Sequence, residues 1–163
     1  MPNLVAGVYR LCTQTPRTAW LNSCEWGATG TNVTLASDQA AQISIVLTKG
    51  ALVSVQMNDP AQLRNQYEGK QAGASILLGV GTDAHSFLTA QISAQSAAAR
   101  MYQLLLPFDR SLNISIGSTF FLMSDATGKA LPKVGNLVPV MIPSGQQAAT
   151  IVLNVTGTAS LNP

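Results

Sequence analysis

Leu112-Asn113-Ile114-Ser115-Ile116 is the stretch that decides the fold. Its apolar residues occupy every second position and its polar ones the positions between. Side chains on a β-strand alternate between two faces, so such a segment buries one face and wets the other. The same alternation recurs in Ile43-Ser44-Ile45, in Val53-Ser54-Val55-Gln56-Met57 and over residues 151–156. Tyr102, Leu104 and Leu106 repeat it within residues 101–107. Repeated half-buried strands predict two packed antiparallel sheets, an all-β sandwich of Greek-key type.

Turn chemistry separates these segments. Asn58-Asp59-Pro60, Gly81-Thr82-Asp83, Asp125-Ala126-Thr127-Gly128 and Pro143-Ser144-Gly145 each carry residues suited to tight reversals. Asn58 or Asp59 is placed to cap a short helical turn over residues 61–67. Strands are expected over 4–13, 32–35, 41–48, 51–57, 75–80, 85–92, 101–107, 112–116, 119–123 and 149–156. Residues 41–48 are read as the hairpin partner of 32–35, and residues 94–99 as weak helix or loop. Pro139 and Pro143 suit residues 131–140 to a sheet edge, because proline cannot donate to a ladder. No helix of three turns is expected.

Composition narrows the function classes. The chain has 163 residues, 47% of them hydrophobic, enough for a substantial core. Only 10% are charged, against about a quarter in ordinary globular proteins. The net charge of +2 and the scatter of Lys and Arg argue against a nucleic-acid partner. No apolar run reaches the length needed to span a membrane as a helix. Met1-Pro2-Asn3 opens no signal-peptide pattern, so an exported chain is expected to be part of something longer. Cys12 and Cys24 are read as a disulfide, with two buried free thiols as the alternative. The disulfide reading fits an oxidising compartment: extracellular, periplasmic or cell-surface.

Ala6-Gly7-Val8-Tyr9-Arg10-Leu11 resembles a strand near the end of carboxypeptidase regulatory-like domains. Asn32-Val33-Thr34-Leu35 and residues 43–47 stand where that family has its next strand pair. The resemblance covers residues 4–49 and matches the C-terminal half of such a domain; the family's opening strands have no counterpart here. It implies a prealbumin-like (transthyretin-like) or immunoglobulin-like sandwich, and a non-catalytic module of an exported bacterial protein. Arg100-Met101-Tyr102-Gln103-Leu104 is similar to the family's same Gly-x-Tyr-x-Leu strand, with Arg100 in place of the glycine. Residues 1–49 are therefore expected to form a partial module and residues 50–163 a β-sandwich domain. Half a sandwich exposes strand edges and an apolar face, so residues 4–49 are expected to dock onto the second domain.

Candidate sites are few. His85 is the only histidine, beside Asp83 and Ser86, and nothing resembles a nucleophile elbow. Glu25, Asp38, Asp59, Glu68, Asp83, Asp109 and Asp125 lie in or next to turns, where acids bond nearby backbone. Trp20, Trp26 and Tyr9 are the residues from which an aromatic platform for a sugar could be built; their alternative role is core filling. Asn32, Asn113 and Asn154 begin glycosylation-type triplets but are read as strand polar residues. No cofactor and no metal site is expected, and no catalytic residue. The leading expectation is a structural or interaction module whose partners are other domains of a larger chain or a surface protein. The alternative is a carbohydrate-binding module.

Overall fold

The computed structural model describes residues 4–13, 19–26, 31–37, 39–82, 87–132, 136–146 and 148–159. It is an all-β arrangement with one short helix. In chain order the elements are β1 (Gly7–Leu11), β2 (Thr31–Leu35), β3 (Ala51–Asn58), α1 (Leu63–Tyr67), β4 (Leu77–Gly81), β5 (Phe87–Thr89) and β6 (Gln91–Gln95). There follow β7 (Ala99–Leu106), β8 (Leu112–Gly117), β9 (Phe121–Asp125), β10 (Ala130–Leu131), β11 (Asn136–Val140) and β12 (Ala148–Thr158). A six-stranded sheet runs β10-β9-β12-β3-β7-β6, a four-stranded sheet β11-β8-β4-β5, and β1-β2 form a separate ribbon.

The period-two pattern is realised as burial. Ala51, Val53, Val55 and Met57 of β3 are fully buried, and Leu52, Ser54, Gln56 and Asn58 are half-buried on the other face. Tyr102, Leu104 and Leu106 of β7 point into the same core, as do Leu112, Ile114 and Ile116 of β8. Phe121 and Met123 of β9 and Leu153 and Val155 of β12 complete it from the six-stranded sheet. Each large apolar side chain removed from water contributes about 1.5–3 kcal/mol before chain entropy is charged against it.

The turns behave as their residues require. Asp59 is buried and accepts hydrogen bonds from the backbone N–H of Leu63 (2.9 Å) and Arg64 (2.8 Å), which anchors the start of α1. Gly128 takes φ 87° and closes the loop between β9 and β10. β11, which carries Pro139, is an edge strand of the four-stranded sheet, as that proline demands, and β10 is an edge of the six-stranded sheet. Asn32, Asn113 and Asn154 lie on β2, β8 and β12.

Four expectations are corrected. First, the sandwich is not wholly antiparallel: β12 lies parallel to β3, with Ile151 opposite Val55. Both are central in the six-stranded sheet, so the intervening strands serve as the long crossover that parallel neighbours need. Second, residues 41–48 form no strand, and β2 pairs instead with β1, Tyr9 opposite Val33. Third, the expected strand ending at Ile92 is two strands in different sheets. β5 pairs with β4, and β6 pairs with β7. Fourth, residues 94–99 are loop only over 96–98 and nowhere helix. They hold the end of β6, a turn closed by Ser96 N–H donating to Ala99 O (2.8 Å), and the start of β7. In each case the local pattern permits a strand, and the choice of partner is made by the available edges.

Candidate interaction surface

Residues 19–26 join the N-terminal ribbon to the sandwich. Cys12, just after β1, is bonded to Cys24, with Cα atoms 5.2 Å apart. Around this bond Thr13 N–H donates to Ser23 Oγ (3.0 Å), and Cys24 N–H donates to Asn22 Oδ1 (3.0 Å). The other side of the segment turns inward. Leu21 and Trp26 are buried in the same cluster as the residues of β3 to β12. Gly50 N–H donates to Ala19 O (2.9 Å), and a Cβ on Gly50 would meet Leu21, Leu105 and the Leu106 carbonyl. The guanidinium of Arg110 donates to the Trp26 carbonyl.

The ribbon itself is open. Both strands alternate half-buried and exposed positions and carry no fully buried residue. Tyr9, Leu11, Val33 and Leu35 form its inner face and line a groove of about 640 Å³ with Leu4 and Ile43. Val5 and Val8 are 78% and 73% exposed, and Val46 85%. Among the described residues, the exposed large hydrophobics Leu4, Val5, Val8, Ile43, Val46 and Leu47 belong to residues 4–47, outside the packed sandwich. Among the described residues β1 and β2 pair only with each other, so each keeps one unpaired edge.

The sequence-selected aromatics separate. Tyr9 lies in the groove, and its hydroxyl donates to Val5 O (2.5 Å). Trp20 is half-buried, bridges to Lys49 across an antiparallel pair, and has the Lys49 ammonium 5.5 Å from its ring centre. Trp26 is only 8% exposed, and its buried indole N–H has no hydrogen-bond partner among the described residues. His85, Asp83 and Asp38 lie outside the described residues. The other acids serve structure. Asp109 accepts from Ser144 N–H, Glu25 accepts from Asn22, and Asp125 accepts from Thr127 and Lys129. The Thr127 hydroxyl is the main reason that the Asp125 carboxyl stays below its ordinary range, with the backbone donors and Lys129 adding to it.

Two buried arginines escaped sequence reading. Arg64 is 2% exposed and sits with its Nε 3.4 Å from Asp59. Arg100, on the inner side of β7, holds Glu68 with two bonds of 2.7 and 2.6 Å and also donates to Gln95 and Tyr102. Burial alone would lower the Arg100 pKa; the bonds to Glu68 and Tyr102 outweigh it and raise the value. Parity was the available signal, since Arg100 shares a strand face with Tyr102 and Leu104.

Among the described residues, no group of three or more His, Cys, Asp and Glu is placed to hold a metal ion. Among them too, no helix is long and apolar enough to cross a membrane. No protein-family model matches this chain, and no curated protein matches it.

Proposed function

We propose that this chain is a non-catalytic structural or interaction module of an exported bacterial protein, in which the disulfide-pinned ribbon docks further β-structure. The observation that carries the reading is the open apolar face of the ribbon: Tyr9, Leu11, Val33 and Leu35 face a groove rather than a core. A two-stranded ribbon is marginal alone in water, and an uncovered apolar face with free edges favours strand addition. Residues 4–49 then act as a partial carboxypeptidase regulatory-like module and residues 50–163 as its rigid support. Partners in this reading are other domains of a larger chain or a surface protein. The Cys12–Cys24 bond supports an oxidising compartment.

Amide hydrogen exchange on the 163-residue chain tests this. The ribbon amides of Gly7–Leu11 and Thr31–Leu35 should exchange far faster than those of β3, and a docked β-segment should slow them. Ribbon amides as protected as β3 in the isolated chain would mean the face is already covered, and the reading fails.

A second reading is carbohydrate binding through exposed aromatics. The half-exposed ring of Trp20 and the groove position of Tyr9 support it, while Trp26 offers little ring surface. Loss of glycan binding in Trp20→Ala is its test.

A further inference from the structure

The outer face of the six-stranded sheet carries an ordered, uncharged pattern that the core does not require. Its central strands align their outward residues in rows. One row sets Thr150, Ser54, Gln103 and Gln91 side by side across β12, β3, β7 and β6. The next row, two residues along, is Val152, Gln56, Met101 and Ala94. A third places the half-buried Asn154 and Asn58 side by side across β12 and β3, with Ser124 of β9 next to them but itself buried. A mainly apolar row thus lies between two rows of amides and hydroxyls, each about 6.5–7 Å from the next. None of these positions is Asp, Glu, Lys or Arg.

The amides are held in fixed orientations. Gln56 Nε2 donates to Asn58 Oδ1 (2.9 Å), Asn58 Nδ2 to Asn154 Oδ1 (3.2 Å), and Asn154 Nδ2 to the Asp125 carbonyl (3.0 Å). Each amide orients the next, and each retains hydrogen-bonding capacity. Beside Gln56 the face is hollowed. A register shift between Ile92 and Ala94 bulges β6, and a shallow pocket of about 310 Å³ opens there, lined by Gln56, Ala94, Gln95 and Met101. Bulges are common beside binding sites because they re-aim side chains and break ladders. Arg100 reaches the rim of this pocket, but its guanidinium is already engaged by Glu68, Gln95 and Tyr102.

We propose that this face, centred on Gln56, Met101 and Gln103, is a binding site for a neutral oligosaccharide. A sugar ring presents apolar C–H faces and a rim of hydroxyls that both donate and accept. Met101 and Val152 match the first, and Gln56, Gln103 and Asn58 match the second. An anionic or cationic ligand would find no counter-charge here. The site shares a ligand class with the aromatic alternative above but none of its residues, and it does not depend on the docking ribbon.

The test is calorimetric titration of the 163-residue chain with neutral hexasaccharides, separately of α- and β-linked glucan, xylan and mannan. The expected result is saturable binding to one of them that weakens about tenfold or more in Gln56→Ala and in Gln103→Ala and is unchanged in Trp20→Ala. Amide shift mapping on the unmodified chain should localise that binding to β3, β7 and β12, which covers the case of a variant that fails to fold. No binding to any of the four at millimolar concentration overturns the proposal. So does binding that survives both glutamine changes and is lost in Trp20→Ala.

Discussion

Asn58 donates through Nδ2 to Oδ1 of Asn154, 3.2 Å away and 96 positions further along the chain. The bond crosses the junction where β3 and β12 run parallel at the middle of the six-stranded sheet. The first and last strands of the sandwich are thereby neighbours, and everything between them is a closed excursion through both sheets. Long-range pairing of this kind costs loop entropy before any contact rewards it. The sandwich is therefore expected to fold slowly for its size, in the millisecond-to-second range typical of β-topologies, as stopped-flow fluorescence can measure.

Asp59 anchors both a helix and a buried cation. Its carboxylate receives two backbone N–H groups and faces Arg64, and both residues are almost fully buried. Asp59→Ala strands the guanidinium without a counter-charge and should cost about 3–5 kcal/mol. Urea denaturation would show this as a lowered midpoint. Asp59→Asn keeps acceptor capacity for the helix and should lose less. Replacing both, Asp59→Ala with Arg64→Met, should recover part of the loss, because no buried charge is then left unpaired.

The disulfide constrains a short loop of sequence separation 12. In the chain-entropy model closure of such a loop contributes about 3 kcal/mol. Cys12→Ser with Cys24→Ser should loosen the attachment of β1 to residues 19–26. Limited proteolysis should then cut between residues 4 and 26 more readily. The urea midpoint followed through Trp26, which is buried with the sandwich core, should move less than the protease sensitivity.

Asp125 gives a pH prediction with a definite sign. Its carboxylate accepts from the Thr127 hydroxyl (2.6 Å) and from two backbone N–H groups, and its pKa lies below the ordinary 3.8. A carboxyl with a depressed folded-state pKa contributes stability above its unfolded value, and that contribution disappears as pH falls through the folded value. An NMR titration of the Asp125 carboxyl carbon should therefore show a midpoint below 3.8. Thr127→Ala should move it upward toward that value. No upward movement would mean that the hydroxyl is not the cause.

Gly79 and Gly81, both in β4, should respond oppositely to alanine. A Cβ on Gly79 would collide with the Phe87 ring and the Leu88 carbonyl on the neighbouring strand. Gly79→Ala should cost about 1–3 kcal/mol, the usual penalty for overpacking. At Gly81 a Cβ meets nothing. Gly81→Ala should be neutral or stabilise by up to about 1 kcal/mol through the unfolded chain. Thermal melting of the two variants compares them directly.

Much of the sandwich is legible in the chain because burial of a strand is a local matter. Val53, Val55 and Met57, or Leu112, Ile114 and Ile116, declare their buried face by spacing alone, and the structure buries each of them. Cys12 and Cys24 are bonded as read, and Asp59 anchors the helical turn its position suggests. The candidate surfaces are less legible. Trp20, Trp26 and Tyr9 look alike in sequence, but Trp26 enters the core while Tyr9 lines the groove. Ile43-Ser44-Ile45 alternates just as Ile114-Ser115-Ile116 of β8 does, yet residues 41–48 form no strand.

Periodicity by itself determined which faces of the strands are buried, since side chains alternate on every extended backbone whatever lies beside it. Tertiary structure alone decided which strands meet. That β12 runs parallel to β3, that β1 takes the place expected of residues 41–48, and that Arg100 finds Glu68 from another strand's distance away, all depend on edges and partners brought together from distant parts of the chain. A strand's hydrogen-bonding edge is backbone and nearly the same for every sequence, so the choice among edges is written in the packing of the whole molecule.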